Sequence, residues 1–184
     1  MEIKVNHLSF ALGCHSHAVT YFQSQKPKES LVVFHGERRL DPFRPGWYWY
    51  DLKDVLIPEE SDYLVQTSTF IKMSREFHEK IKRFAEETGL EPLVFDHCHP
   101  IDVPTGTDLG TTRNVAEYYR GSVMGVYHRF HRFFRLTNNG SEMITWRIDD
   151  ETHARQRLAL GNEVHHRISS ARILMVGVGG IGWK

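Results

Sequence analysis

Apolar and polar residues alternate from the start of the chain, MEIKVNHLSFALG, and the period then changes several times. SHAVTYFQSQ (16–25) predicts a short helix, broken by Lys26, Pro27 and Lys28. ESLVVFHGERR then has the β-branched and aromatic content of a buried strand, with Glu29 at its mouth. Pro42, Pro45 and Gly46 bracket a turn, after which WYWYDLKDVLIP (47–58) and YLVQTSTFI (63–71) read as strands of a meander. Ser74 is placed to cap a helix over 75–88: Phe77, Ile81 and Phe84 recur at helical spacing and Gly89 closes it. PLVFDHCH (92–99) predicts another strand, and a loop containing Pro100 and Pro104 leads to a helix opening near Asp108. VYHRFHRFFRLT and SEMITWRID flank Asn138, Asn139 and Gly140 and so predict a hairpin. From Asp150 the pattern changes to a helical ETHARQRLALGNEVHHRISS followed by an apolar strand, ARILMVGVGGIG, which puts a domain boundary near 150.

Composition narrows the function classes. The chain has 184 residues, 40% of them hydrophobic, enough for one domain with a core and a small appendage. Lys and Arg together number 23, as do Asp and Glu, so no global field recruits nucleic acid or an anionic membrane. The first residues lack a basic segment and a continuous apolar segment, and no apolar run approaches the roughly 20 residues a spanning helix needs. Cys14 and Cys98 make no disulfide framework, which suits a reducing compartment, so the expected location is the cytoplasm.

Candidate chemistry centres on FDHCHPIDVPTGTDLG (95–110). Side chains two apart on a strand share a face, so His97 and His99 can converge on one ion while Cys98 points away. With 12 histidines in the chain, about one such pair arises by chance, and His15 and His17 form a second. The sequel adds weight: a short loop brings Asp108 to the start of the next helix. Two nitrogens and one oxygen are the ligands of a catalytic zinc that keeps a position open for water. Such a water needs a base, and a carboxylate on a neighbouring strand is the usual solution. Each residue alone has a plainer reading: Glu29 as a solvated strand carboxylate, Asp108 as a helix cap, the histidines as ordinary imidazoles.

Together, these residues resemble the JAMM (JAB/MPN+) metalloproteases, which cleave isopeptide and peptide bonds after ubiquitin-like proteins. The resemblance covers roughly residues 1 to 148. It rests on Glu29 and Gly36 in ESLVVFHG, His97, His99 and Pro100 in HCHP, and Pro104, Thr105 and Asp108 in PTGTD. It implies that His97, His99 and Asp108 hold zinc, that Glu29 shuttles a proton from the attacking water to the leaving amine, and that Thr105 stabilises the oxyanion. The chain departs from the family in two ways: five residues separate His99 from Thr105 where the family has about seven, and Thr105 stands in place of serine.

Gly177, Gly179, Gly180 and Gly182 follow the last apolar strand as in a phosphate-cradling loop. The longer run RQRLALGNEVHHRISSARILMVGVGGIG, with Arg155 and Arg157 at its start, resembles the opening of a ThiF-like adenylating domain, the activating enzymes of ubiquitin-like proteins. With the sequence ending at Lys184, the expectation is an incomplete nucleotide site, or a helix and strand that pad the first domain.

Other features have bland readings. Cys14, His15 and His17 are expected on the surface where a helix begins, and WYWY (47–50) as strand packing. HRFHRFFR (128–135) reads as one strand of a hairpin or as a surface for a ubiquitin-like tail, since the neutral charge disfavours nucleic acid.

The expected fold is α/β (α+β): a mixed, curved JAB/MPN-like sheet flanked by helices over 1–149, then a short helix and strand over 150–184. The expected protein is a zinc isopeptidase or peptidase acting on a ubiquitin-like protein or its conjugate. Two alternatives are a catalytically silent JAMM-like module that binds such a protein for an activating or conjugating enzyme, and a fragment of a JAB–ThiF fusion.

Overall fold

The first strand, β1 (Lys4–Ala11), lies between two partners, and that position shapes the whole sheet. The computed structural model describes residues 3–41, 44–100, 105–137 and 140–149, all within the compact unit Met1–Asp149. β1 passes directly into helix α1 (Leu12–Gln25), which begins at Ala11 without a side-chain cap. Strands β2 (Leu31–Leu40) and β3 (Trp47–Leu56) pair antiparallel, and the short strands β4 (Tyr63–Gln66) and β5 (Ile71–Met73) form a separate two-stranded sheet. Helix α2 (Arg75–Thr88) precedes β6 (Glu91–Cys98), and α3 (Gly106–Tyr118) follows it. The remaining strands are β7 (Val123–Tyr127), β8 (His131–Thr137) and β9 (Gly140–Asp149).

Helices and strands are thus mixed in an α+β fold, but the sheet is not the curved sheet of the JAB/MPN kind. It closes into a barrel in the order β1-β3-β2-β6-β7-β8-β9, because β1 pairs parallel with β3 on one side and with β9 on the other. Closure leaves no free edge on that sheet. Only β4 and β5, among the described strands, stand outside it.

The β2–β6 wall separates two cores. Val32, Phe34, Val94 and Cys98 face the barrel interior with Phe10, Phe22 and Tyr50; Val33 and Phe95 face the other way, against Phe77 and Ile81 of α2. Alternation along each strand produces this division. In WYWY it sends Tyr50 into the interior at 0% exposure. Gly36 sits where β2 shifts register against β3, and a Cβ there would run into the main-chain oxygen of Asp51. The glycine seven residues after Glu29 therefore has a steric reason. No helix among the described residues is long and apolar enough to cross a membrane.

Candidate metal centre

His97 lies on β6 and His99 one residue past its end, and both turn to the face that α3 covers. Their rings are 5.4 Å apart at 87°. α3 opens opposite them with Thr105 as N-cap and Asp108 at the third helical position. The two residues close a reciprocal capping box: the Thr105 main-chain N–H and Oγ1–H donate to Asp108 Oδ2 at 2.5 and 2.7 Å, and the Asp108 N–H donates to Thr105 Oγ1 at 3.4 Å. So held, the carboxylate spans both imidazoles: His97 Nε2 is 3.3 Å from Oδ1 and His99 Nε2 is 3.3 Å from Oδ2.

One ligand atom from each of His97, His99 and Asp108 lies within 4.8 Å of the others. Nitrogen and oxygen ligands at about 2.0–2.1 Å from a tetrahedral zinc stand about 3.3 Å from one another, the distance at which each imidazole stands from its nearer Asp108 oxygen.

Asp108 and His97 are electrostatically coupled. Burial opposes ionisation of Asp108, but the hydrogen bonds from His97 and Thr105 prevail and hold its carboxyl well below the usual carboxylate range. Burial likewise works against a charged His97, yet Asp108 raises its pKa. Glu29 is 7% exposed, and burial raises its pKa against the pull of His97 and His99 while Asp108 adds to the rise. All three candidate ligands therefore act on Glu29. Its main chain is anchored to the end of β4 and the turn after it: Glu29 N–H donates to Thr67 O at 2.7 Å, and Gln66 Nε2 donates to Glu29 O at 2.9 Å.

Most of the predicted residues thus meet. Thr105 is present but differently employed: its hydroxyl donates to Asp108 rather than standing free for an oxyanion. Gly177, Gly179, Gly180 and Gly182, with Arg155 and Arg157, lie outside the described residues.

The structure also corrects the reading of residues 14–17. His15 is not a surface group: its Nε2 lies 3.0 Å from His131 Nδ1, and its ring stacks on Trp146 at 5.3 Å. His131 in turn reaches Asp96, with Nε2 2.8 Å from Oδ2, and both side chains are buried. Cys14 is buried too, and burial pushes its thiol up to about 12. Only His17 of that cluster is exposed. The sequence reading gave Asp96, His131 and His128 no individual role; Asp96 and His131 lie on β6 and β8, and His128 in the turn that follows β7.

No protein-family model and no curated protein matches the sequence. Among solved structures, the chain is similar to the solution structure of protein DSY2949 from Desulfitobacterium hafniense, with a TM-score of 0.54 at 12% identity over 78% of this chain and 94% of that one. That likeness concerns the fold.

Proposed function

We propose that the protein is a zinc-dependent isopeptidase or peptidase of the JAMM type that cuts after the C-terminus of a ubiquitin-like protein. The observation that carries this reading is the convergence of His97, His99 and Asp108, with the Glu29 carboxylate within electrostatic reach of all three. Zinc held by these residues supplies Lewis acidity and lowers the pKa of water toward about 7. Glu29 is suited to the proton transfers: burial makes its carboxylate more basic than an exposed one. It takes the proton from the attacking water and returns it to the amine nitrogen as the C–N bond breaks. Asp108, locked by its capping box, keeps its place through the cycle. The substrate's tail is expected to bind extended, by strand addition, and with the barrel closed the open edges near Glu29 belong to β4 and β5.

A second reading, a silent module that binds a ubiquitin-like protein for an activating or conjugating enzyme, draws on the engagement of the Thr105 hydroxyl by Asp108. The resemblance of residues 150–184 to a ThiF-like opening suits such a partner in either case. Cytoplasmic location is part of the proposal and rests on two unpaired, buried cysteines.

The test is zinc content by elemental analysis together with cleavage of ubiquitin-like fusions. The parent should hold about one zinc per chain, lost in His97→Ala and Asp108→Ala, while Glu29→Gln keeps zinc and loses cleavage. A parent without zinc sinks the hydrolase reading, and zinc without cleavage of any such fusion favours the silent module.

A further inference from the structure

We infer that His128 is a positioning residue of the metal centre, one that holds the main chain of His99 so that its imidazole stays aimed at Asp108. The inference rests on the metal reading above and adds a residue that the JAMM resemblance does not supply.

The argument begins with where β6 ends. Its pairing with β2 runs out at His97, opposite Leu31, and with β7 at Cys98, opposite Tyr127. His99 therefore contributes its imidazole from just beyond the regular ladder, and the next residue, Pro100, has no N–H with which to extend it. Two hydrogen bonds tie the His99 main chain to the end of β7. Its N–H donates to Tyr127 O at 2.8 Å, and its carbonyl accepts from His128 Nδ1 at 3.0 Å. Because a carbonyl can only accept, Nδ1 of His128 carries the proton. One step past the Cys98–Tyr127 pair, His128 stands beside His99, and its side chain supplies a donor where the ladder has stopped.

Such a bond matters more at His99 than at His97, which both neighbouring strands pair. Zinc sites tolerate departures of only about 0.2 Å in ligand distance, so a small shift of the His99 main chain takes its Nε2 out of range. His128 is not itself a ligand: the group whose atoms fall within 4.8 Å of one another comprises His97, His99 and Asp108. Its part is to fix a ligand's backbone, as outer hydrogen bonds fix ligand rings elsewhere.

Two substitutions separate this role from general packing. Asparagine places an amide N–H on the same γ carbon that bears the histidine Nδ1, and leucine fills similar space without a donor. The measurement, on the full chain, is zinc affinity by competition with a chromophoric chelator, alongside the visible spectrum of the cobalt(II)-loaded protein and the unfolding midpoint of the metal-free protein. His128→Leu is expected to bind zinc about 10- to 100-fold more weakly and to alter the cobalt bands. His128→Asn is expected to stay within about threefold of the parent with its bands intact. Parent-like affinity in His128→Leu overturns the inference. So does an Asn variant as weak as the Leu variant when both keep the parent's midpoint. If the leucine chain fails to fold, His128→Ala takes its place, and parent-like zinc affinity in that variant overturns the inference. A parent that takes up neither metal overturns the metal reading, and this inference with it; a parent that loads normally and loses metal on His99→Ala leaves the leucine result to bear on His128 alone.

Discussion

Gly125 on β7 stands beside Asp96 on β6 in parallel register, and a Cβ on that glycine would overlap Oδ1 of the aspartate. The carboxylate has nowhere else to go, because His131 holds its other oxygen at 2.8 Å inside the barrel. Gly125→Ala must therefore displace the buried Asp96–His131 contact or push two strands apart. We predict a loss of about 3 kcal/mol by urea denaturation, the upper end for overpacking a core by a methyl group. In an Asp96→Gly background the same change should cost far less, since the obstructing side chain is gone. Equal costs in both backgrounds would show that the glycine is there for another reason.

Thr105 links helix stability to the proposed metal centre. Its hydroxyl caps α3 and its two donors hold Asp108 Oδ2, so Thr105→Ala removes a cap and loosens a proposed ligand at once. The expected outcome is a loss of about 1 kcal/mol in stability and about tenfold in zinc affinity, both recovered in Thr105→Ser. An alanine variant with the parent's affinity would mean that His97 and His99 suffice to place Asp108.

Much of this site was legible in the sequence because its parts are local. α2 runs from Arg75 to Thr88 with Ser74 accepting from Phe77 N–H and Gly89 left-handed at φ 70°, as the capping pattern required. The His-x-His strand and the Asp108 helix likewise follow from short-range signals. What escaped was non-local or unmarked. Pairing of β1 with β9 joins residues at opposite ends of the unit, and no period in either strand reports it. α1 begins four residues before the expected Ser16, straight out of β1, where no capping side chain marks the start. The stretch 126–137 read as one strand turns at 128–130 without glycine or proline, and the strand expected over 63–71 folds back on itself at Thr67, whose N–H donates to Phe70 O at 2.9 Å. The chain from Asp96 through His131 to His15 is assembled from three elements, so only the fold displays it.

His15 makes stability depend on pH in a definite direction. Burial first, and then the nearby His131, lower its pKa to about 4, while Asp96 opposes them. In an unfolded chain the value is about 6.5. Between these values the unfolded state binds a proton that the folded state refuses, so stability rises with pH across the window and falls on acidification from about 6.5 toward 4. Replacing His15 with glutamine removes this contribution, and thermal midpoints at several pH values in that range should give a flatter curve than the parent's. Some slope will remain, because burial also lowers the pKa of His35, which acts in the same sense. An unchanged slope would show that His15 does not carry the effect.

The thiol between the two histidines has its own task. Cys98 Sγ accepts from Ser30 N–H at 3.1 Å and donates to Lys28 O at 3.3 Å, while the Cys98 N–H donates to Ser30 O at 2.9 Å. The segment bearing Glu29 is thereby fastened to the strand bearing His97 and His99, and burial raises the thiol's pKa and so keeps it protonated as a donor. Cys98→Val fills nearly the same space but strands the buried Ser30 N–H, which costs about 1–3 kcal/mol. Because the proposed ligands lie on α3 and at the end of β6, zinc should stay; because Glu29, the proposed base, belongs to the loosened segment, the proposed cleavage should fall by about tenfold or more, the scale on which a displaced catalytic group is felt. Cys98→Ser, which can still accept from Ser30 and donate to Lys28, should recover most of it. Zinc content and cleavage rate measured on the same preparations decide the matter: a valine variant with both at parental levels would show that Glu29 is held in place without the thiol.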